Sequence, residues 1–158
     1  MTAWDAFRDA ESVGSSVVVV DDDPHGQATT VAEYLADAGR EVTLVCRSMV
    51  VGMWGGPANQ EFLYKRLFSA GVKLLTTTWV DEIAASHVRC YNVYSGQTLV
   101  VDDVDTIILA TGNQVRDDLY LQLLSLIPSV KVSRVGDCLA PRRLDDAIRE
   151  AHLSARSI

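Results

Sequence analysis

Val17-Val18-Val19-Val20-Asp21-Asp22-Asp23-Pro24-His25-Gly26-Gln27 is the stretch on which the fold turns. A β-branched run of four valines reads as a short strand buried on both faces. It ends in three carboxylates and passes into a helix start. Two kinds of domain open on such a strand. A phosphorylation receiver gathers acids at the strand end to hold Mg²⁺. A dinucleotide-binding domain puts glycines there, so that backbone N–H groups and a helix N-terminus can cradle a pyrophosphate.

The residues downstream give a β-α-β-α-β order. Ala28, Val31, Ala32 and Leu35 recur at helical spacing as far as Gly39, a natural helix stop. Val42 to Cys46 is a second apolar strand. Phe62, Leu63 and Leu67 lie in a second helical stretch that ends at Gly71, and Val72 to Thr77 is a third strand. This alternation predicts a parallel sheet with crossover helices. Val80 to Ile83, Val88 to Val93 and Thr98 to Val101 then predict an antiparallel meander turning at Ser95-Gly96. Thr106 to Ala110 is a further apolar strand. Leu119 to Leu126 reads as a helix, Val130 to Val135 as a strand, and Leu144 to Ala155 as a terminal helix. The fold class is α/β, a Rossmann-like parallel sheet with an inserted antiparallel meander.

Bulk properties narrow the function. The 158 residues carry a formal net charge of −7, which argues against nucleic acid or an anionic membrane as partner. No apolar run approaches the roughly 18 residues that a spanning helix needs, and MTAWDAFRDAES has acids and no apolar stretch of the secretory kind. Cys46, Cys90 and Cys138 are odd in number and scattered, without metal-site spacing. They read as free buried or half-buried thiols in a reducing, cytoplasmic setting.

The receiver reading lacks its acceptor. Asp21-Asp22-Asp23-Pro24 and the following helix resemble a receiver, but the only Asp between Asp23 and Asp81 is Asp37, inside the first helix. The dinucleotide reading lacks its glycines. At the three glycine positions stand Asp21, Asp23 and Gly26. Side-chain bulk and like charge then oppose a pyrophosphate, so the topology is expected to persist without NAD(P)H binding. Arg47, at the end of the second strand, stands where an NADP-selecting base would be.

The other end of the chain carries an ordered set of motifs: Thr106-Ile-Ile-Leu-Ala-Thr-Gly112, then Val135-Gly-Asp-Cys-Leu-Ala-Pro-Arg-Arg143, then a helix. This set resembles the C-terminal region of the flavin- and iron–sulfur-containing oxidoreductases related to trimethylamine dehydrogenase and 2,4-dienoyl-CoA reductase. Trp4-Asp5 and Tyr91-Asn92-Val93-Tyr94 extend the resemblance over nearly the whole chain. It implies two parts: residues 1–111 as an NAD(P)-binding-like domain with a degenerate loop, and 112–158 as the closing segment of an FAD- or ADP-binding-like domain. It also implies the site residues Gly112, Gly136, Asp137, Cys138, Ala140, Pro141, Arg142 and Arg143. Asp137 would reach a ribityl or ribose hydroxyl, and Arg142 and Arg143 a phosphate.

By the same resemblance, FMN, the substrate site and a [4Fe–4S] cluster belong to a barrel that this chain does not contain. The chain is thus expected to be a small subunit or a cut piece of an amine or betaine dehydrogenase or demethylase. Its partners would be a larger flavin and iron–sulfur subunit, or the missing N-terminal domains, and an electron-transfer flavoprotein. FAD or ADP would be shared across the junction. The rivals are an NADPH-binding electron-input domain of an enoate or dienoyl-CoA reductase and a non-catalytic receiver-like signalling module. No Ser-His-Asp, Cys-His or paired-carboxylate arrangement nominates a catalytic residue.

Overall fold

A computed structural model describes residues 1–157. The chain divides into two compact units, Met1–Gly112 and Asn113–Ile158.

The first unit is built on the valine run. β1 (Ser16–Asp21) lies between β2 (Glu41–Cys46) and β7 (Thr106–Ala110), with β3 (Lys73–Leu75) outside β2, in the order β3-β2-β1-β7. All pairs are parallel, and Val19 faces Leu44 on one side and Ile108 on the other. A central parallel strand is covered on both faces, which is why β1 reads as an unbroken apolar run. Successive side chains of a strand point to opposite faces. Val17 and Val19 pack with Leu44 and Ile108 against α1 (Ala3–Arg8), α2 (Gln27–Asp37) and α3 (Pro57–Ser69). Val18 and Val20 pack with Val45 against the meander, β4 (Thr78–Ile83), β5 (His87–Asn92) and β6 (Thr98–Asp102), through Val88 and Cys90. The expected α/β class, with its inserted meander, is the fold observed.

This strand order excludes the receiver arrangement. In that topology the first strand sits beside the third, whereas here β2 separates β1 from β3. No carboxylate at the end of the third strand could face Asp21.

Helix ends follow local chemistry. α2 stops where Gly39 takes φ +83°, and the Arg40 N–H returns to the Leu35 carbonyl at 3.0 Å. α1 has no counterpart in the periodicity reading. It starts on a reciprocal cap: the Thr2 N–H donates to Asp5 Oδ2 at 2.9 Å, and the Asp5 N–H to Thr2 Oγ1 at 3.2 Å.

In the second unit, α4 (Asp118–Leu126) and α5 (Leu144–Ala155) form as expected. The expected strand over 130–135 does not. Val135 has extended dihedrals, φ −144° and ψ 156°, yet no ladder forms. A strand exists only by pairing its N–H and C=O groups, and the described residues of this unit supply no second strand. All the buried apolar side chains of the described residues lie between Ala3 and Ala110. In the second unit Leu119, Leu126, Leu144 and Ile148 are each more than half exposed.

Candidate functional site

Two places correspond to the nucleotide positions of the sequence reading, one in each unit.

In the first unit, the β1–α2 loop holds its three carboxylates in three different states. Asp23 is 8% exposed. Its Oδ2 accepts the His25 N–H at 3.1 Å and the Gln27 N–H at 2.7 Å, so it occupies the mouth of α2. A helix N-terminus presents free N–H groups and a positive dipole end, the features that bind phosphate. Here a carboxylate of the chain itself takes them. The other oxygen, Oδ1, is buried without a hydrogen-bond partner. Asp21 accepts the Asp23 N–H at 3.2 Å. Burial pushes its carboxyl up to about 6; the N–H bond opposes this and the charges of Asp23 and Asp22 add to it. Asp22 is exposed and pairs with Arg47 at 2.6 Å.

Arg47 is therefore engaged. Besides Asp22, its guanidinium lies 4.1 Å from the centre of the Trp79 ring. The position where an NADP-selecting base would stand is occupied by an internal pair.

Trp54 completes the closure. A Cβ placed on Gly26 would lie 2.3 Å from Cε2 of the indole. Only glycine lets the ring rest there, and Gly26 holds φ +89° at the start of α2. The loop bearing Trp54 is tied to α3: the Val51 N–H donates to Tyr64 Oη at 2.9 Å, and Gln60 Nε2 donates to the Val51 carbonyl at 3.1 Å. Met49 and Met53, in the same loop, are exposed. What remains is an open cavity lined by Asp21, Asp22, Asp23, Cys46, Met53 and Trp54. The residues present do not fit a dinucleotide pyrophosphate. Periodicity could not have found Trp54; the only signal was its place among Gly52, Gly55 and Gly56.

In the second unit, the Val135–Arg143 motif forms a compact loop ahead of α5. Gly136 takes φ +64°, and its absent Cβ would come 3.1 Å from Cβ of Ala147, so glycine is required for both conformation and contact. Glu150 closes the loop. Its Oε2 accepts the Gly136 N–H at 2.9 Å, and its Oε1 pairs with Arg142. Arg143 pairs with Asp145 at 3.3 Å. The Cys138 thiol donates to the Val135 carbonyl at 3.0 Å.

Asp137 is exposed, and with Cys138 and Pro141 it lines a cavity shared with Asn113, Gln114 and Arg116. Of the eight sequence-predicted site residues, Asp137, Cys138 and Pro141 line this cavity, and Gly136, Ala140 and Arg142 belong to the same loop. Gly112 is the last residue of the first unit, at φ +96°, and Arg143 is the N-cap of α5. Sequence reasoning missed Glu150, whose partners lie 8 and 14 positions away, and Arg116. Among the described residues, no group of three or more His, Cys, Asp or Glu side chains is placed to hold a metal ion. No helix of the described residues is long and apolar enough to cross a membrane.

Residues 1–111 match a family model described as the OYE-like second alpha/beta domain. The dimethylamine dehydrogenase of Hyphomicrobium sp. (strain x) is 25% identical, across 100% of this chain and 25% of that protein. Among solved structures, histamine dehydrogenase from Rhizobium sp. 4-9 superposes with a TM-score of 0.89 at 27% identity, covering 99% of this chain and 26% of that one. A 6-hydroxypseudooxynicotine amine oxidase from Pseudomonas geniculata N1 gives 0.88 at 26%, covering 98% and 24%. The chain spans about a quarter of the length of the relatives it matches.

Proposed function

This chain belongs to the OYE-like second alpha/beta domain family, and from that premise we propose that it is the C-terminal module or small subunit of an FMN- and iron–sulfur-dependent oxidoreductase acting on an amine or betaine. Its work is assembly. The first unit keeps a dinucleotide fold without using a dinucleotide, and the second completes an FAD- or ADP-binding-like domain whose remaining strands come from the larger flavin-bearing part. Dehydrogenation or demethylation occurs on that larger part, and electrons leave to an electron-transfer flavoprotein. The setting is cytoplasmic.

The observation that carries this reading is the absence of a core in the second unit. α4 and α5 have no buried residue, while α5 aligns Leu144, Ile148 and Ala151 at helical spacing. Burying such a stripe contributes roughly 25 cal/mol per Å², and nothing within the unit collects it. The names of the relatives, two dehydrogenases and an amine oxidase, support the oxidoreductase class. The closed β1–α2 loop speaks against the electron-input rival, which needs NADPH at that place.

Co-expression with a candidate chain that carries the barrel and cysteine cluster tests the proposal. The expected result is one complex in size exclusion, with flavin absorbance only when the large chain is present. Isolated chain that carries flavin, or that elutes unchanged beside the candidate partner, overturns it.

A further inference from the structure

The cavity at the carboxyl ends of β1 and β2 has a volume of about 430 Å³, and Asp21, Asp22, Asp23, Cys46, Met53 and Trp54 are among its walls. In open α/β sheets this is the end at which ligands bind. The acids that exclude a pyrophosphate leave the cavity negatively charged. Asp22 is paired with Arg47. No salt bridge among the described residues reaches Asp21 or Asp23, and each is only 8% exposed. Asp23 is the decisive group. Its Oδ2 accepts the His25 and Gln27 N–H groups, while its Oδ1 is buried and has no hydrogen-bond partner. Buried polar atoms are nearly always bonded, and buried carboxylates are nearly always paired. An orphaned acceptor on an acidic cavity calls for a donor that is also a cation.

We propose that this cavity binds a primary or secondary ammonium group on a short apolar stem, with Asp23 Oδ1 and Asp21 accepting its N–H groups and Trp54 and Met53 flanking the stem. Each part of the ligand follows from a part of the wall. Two buried carboxylates without a counter-ion require positive charge. An acceptor short of a partner requires an N–H, which a quaternary ammonium lacks. An indole attracts a cation and covers its methylenes, and a thioether adapts to their shape. A divalent metal is a poorer fit, because no group of three or more His, Cys, Asp or Glu side chains among the described residues is placed to hold one. Met53 and Trp54 are 66% and 48% exposed, so the apolar side of the cavity can shift around a ligand without disturbing the valine core. The same ammonium chemistry has two sources, a free alkylamine and a lysine side chain of another chain. The assignment concerns the first unit and does not depend on the assembly role of the second.

The test is a ¹⁵N-resolved titration of the full chain, at pH 8 and constant ionic strength, with butylammonium, tetramethylammonium, Nα-acetyl-lysine amide and Mg²⁺ in separate series. Butylammonium should shift the Asp22, Asp23 and Cys46 amides and the Trp54 indole N–H. Asp23→Asn and Asp21→Asn should each weaken its binding at least about ten-fold, the loss of one charge-assisted contact. Asp22→Asn, at the carboxylate already spent on Arg47, should weaken it less than about three-fold. Tetramethylammonium should bind at least about ten-fold more weakly than butylammonium, because it has no N–H to give. Asp21→Asn removes a buried charge and keeps the Asp23 N–H bonded, so it decides the matter if Asp23→Asn loosens the start of α2.

Binding of either primary amine in this pattern supports the site. Tighter binding of the lysine amide then assigns it to a protein side chain, and tighter binding of butylammonium to a free amine. Four results would each overturn the proposal: tetramethylammonium binding as well as butylammonium, Mg²⁺ displacing butylammonium at equal concentration, an affinity untouched by both Asp21→Asn and Asp23→Asn, or amides that do not shift with either amine.

Discussion

Trp54 rests on Gly26 so closely that any β-carbon there would sit 2.3 Å from the indole Cε2. The contact joins the loop after β2 to the start of α2, the kind of helix end at which a dinucleotide fold holds its pyrophosphate. A site that elsewhere in such folds is kept open by glycine is here closed by glycine, because the small residue admits an aromatic ring and not a ligand.

Gly26→Ala should therefore do more damage than an ordinary helix-start substitution. The left-handed φ of +89° costs an L-residue roughly 1–2 kcal/mol, and the ring must move as well. Urea unfolding should show a loss of about 2–4 kcal/mol. Trp54→Ala, with the indole 48% exposed, should lose less than Gly26→Ala. In a Trp54→Ala background Gly26→Ala should cost only the backbone term, and an undiminished loss there would mean that the ring contact is not what the glycine serves.

Asp21 sets a pH dependence. Its folded carboxyl titrates at about 6, above the value of about 4 of an unfolded chain. The folded state thus holds the proton more tightly between these values, and stability falls as pH rises through the window. Above about pH 6 the ionised, 8% exposed side chain carries the full penalty, on the order of 2–3 kcal/mol. Asp21→Asn keeps an oxygen for the Asp23 N–H and removes the charge. It should stabilise the chain at pH 8 and do little at pH 4. Unfolding curves at both pH values check this, and an equal effect at both would refute the assignment to Asp21.

Nicotinamide cofactors should not bind. Asp23 fills the mouth of α2 and Arg47 is paired with Asp22, so neither the pyrophosphate nor a 2′-phosphate finds a free donor. Calorimetric titration with NADH and NADPH should give no saturable heat. Micromolar affinity, about −8 kcal/mol, would require the loop to open and would favour the electron-input rival.

Much of the first unit was legible because its elements carry their own signatures: the valine run for β1, glycine stops for α2 and α3, and Ser95-Gly96 for the meander. The elements that were misread depend on partners. α1 is short and announces itself only through Thr2 and Asp5. The 130–135 segment has strand-like composition, but a strand is a property of a pair, and composition cannot show whether a pair exists. The site was less legible for the same reason. Asp21 and Asp23 were readable as obstacles to phosphate, whereas Trp54 on Gly26 and Glu150 on Gly136 are contacts across long sequence separations. Side-chain pairing also changed the meaning of Arg47, Arg142 and Arg143, which as sequence look like free cations.

The uneven distribution of the core leads to a last prediction. Every buried apolar side chain of the described residues falls between Ala3 and Ala110, so the first unit should account for nearly all the cooperative stability of the chain. Amides of β1, β2 and β7 should exchange only through global opening, because their ladders are covered on both faces. Amides of α4 and α5 have exposed helices and no core beneath them, and should exchange orders of magnitude faster. A chain shortened to residues 1–112 should unfold with nearly the same midpoint as the full chain. Binding of the larger flavin-bearing part should then slow exchange in α5 selectively, because the stripe of Leu144, Ile148 and Ala151 would be covered. Hydrogen exchange read by mass spectrometry, with and without that partner, checks both statements. Strong protection of α5 in the isolated chain would show that the second unit has a core of its own, and the assembly role would lose its physical basis.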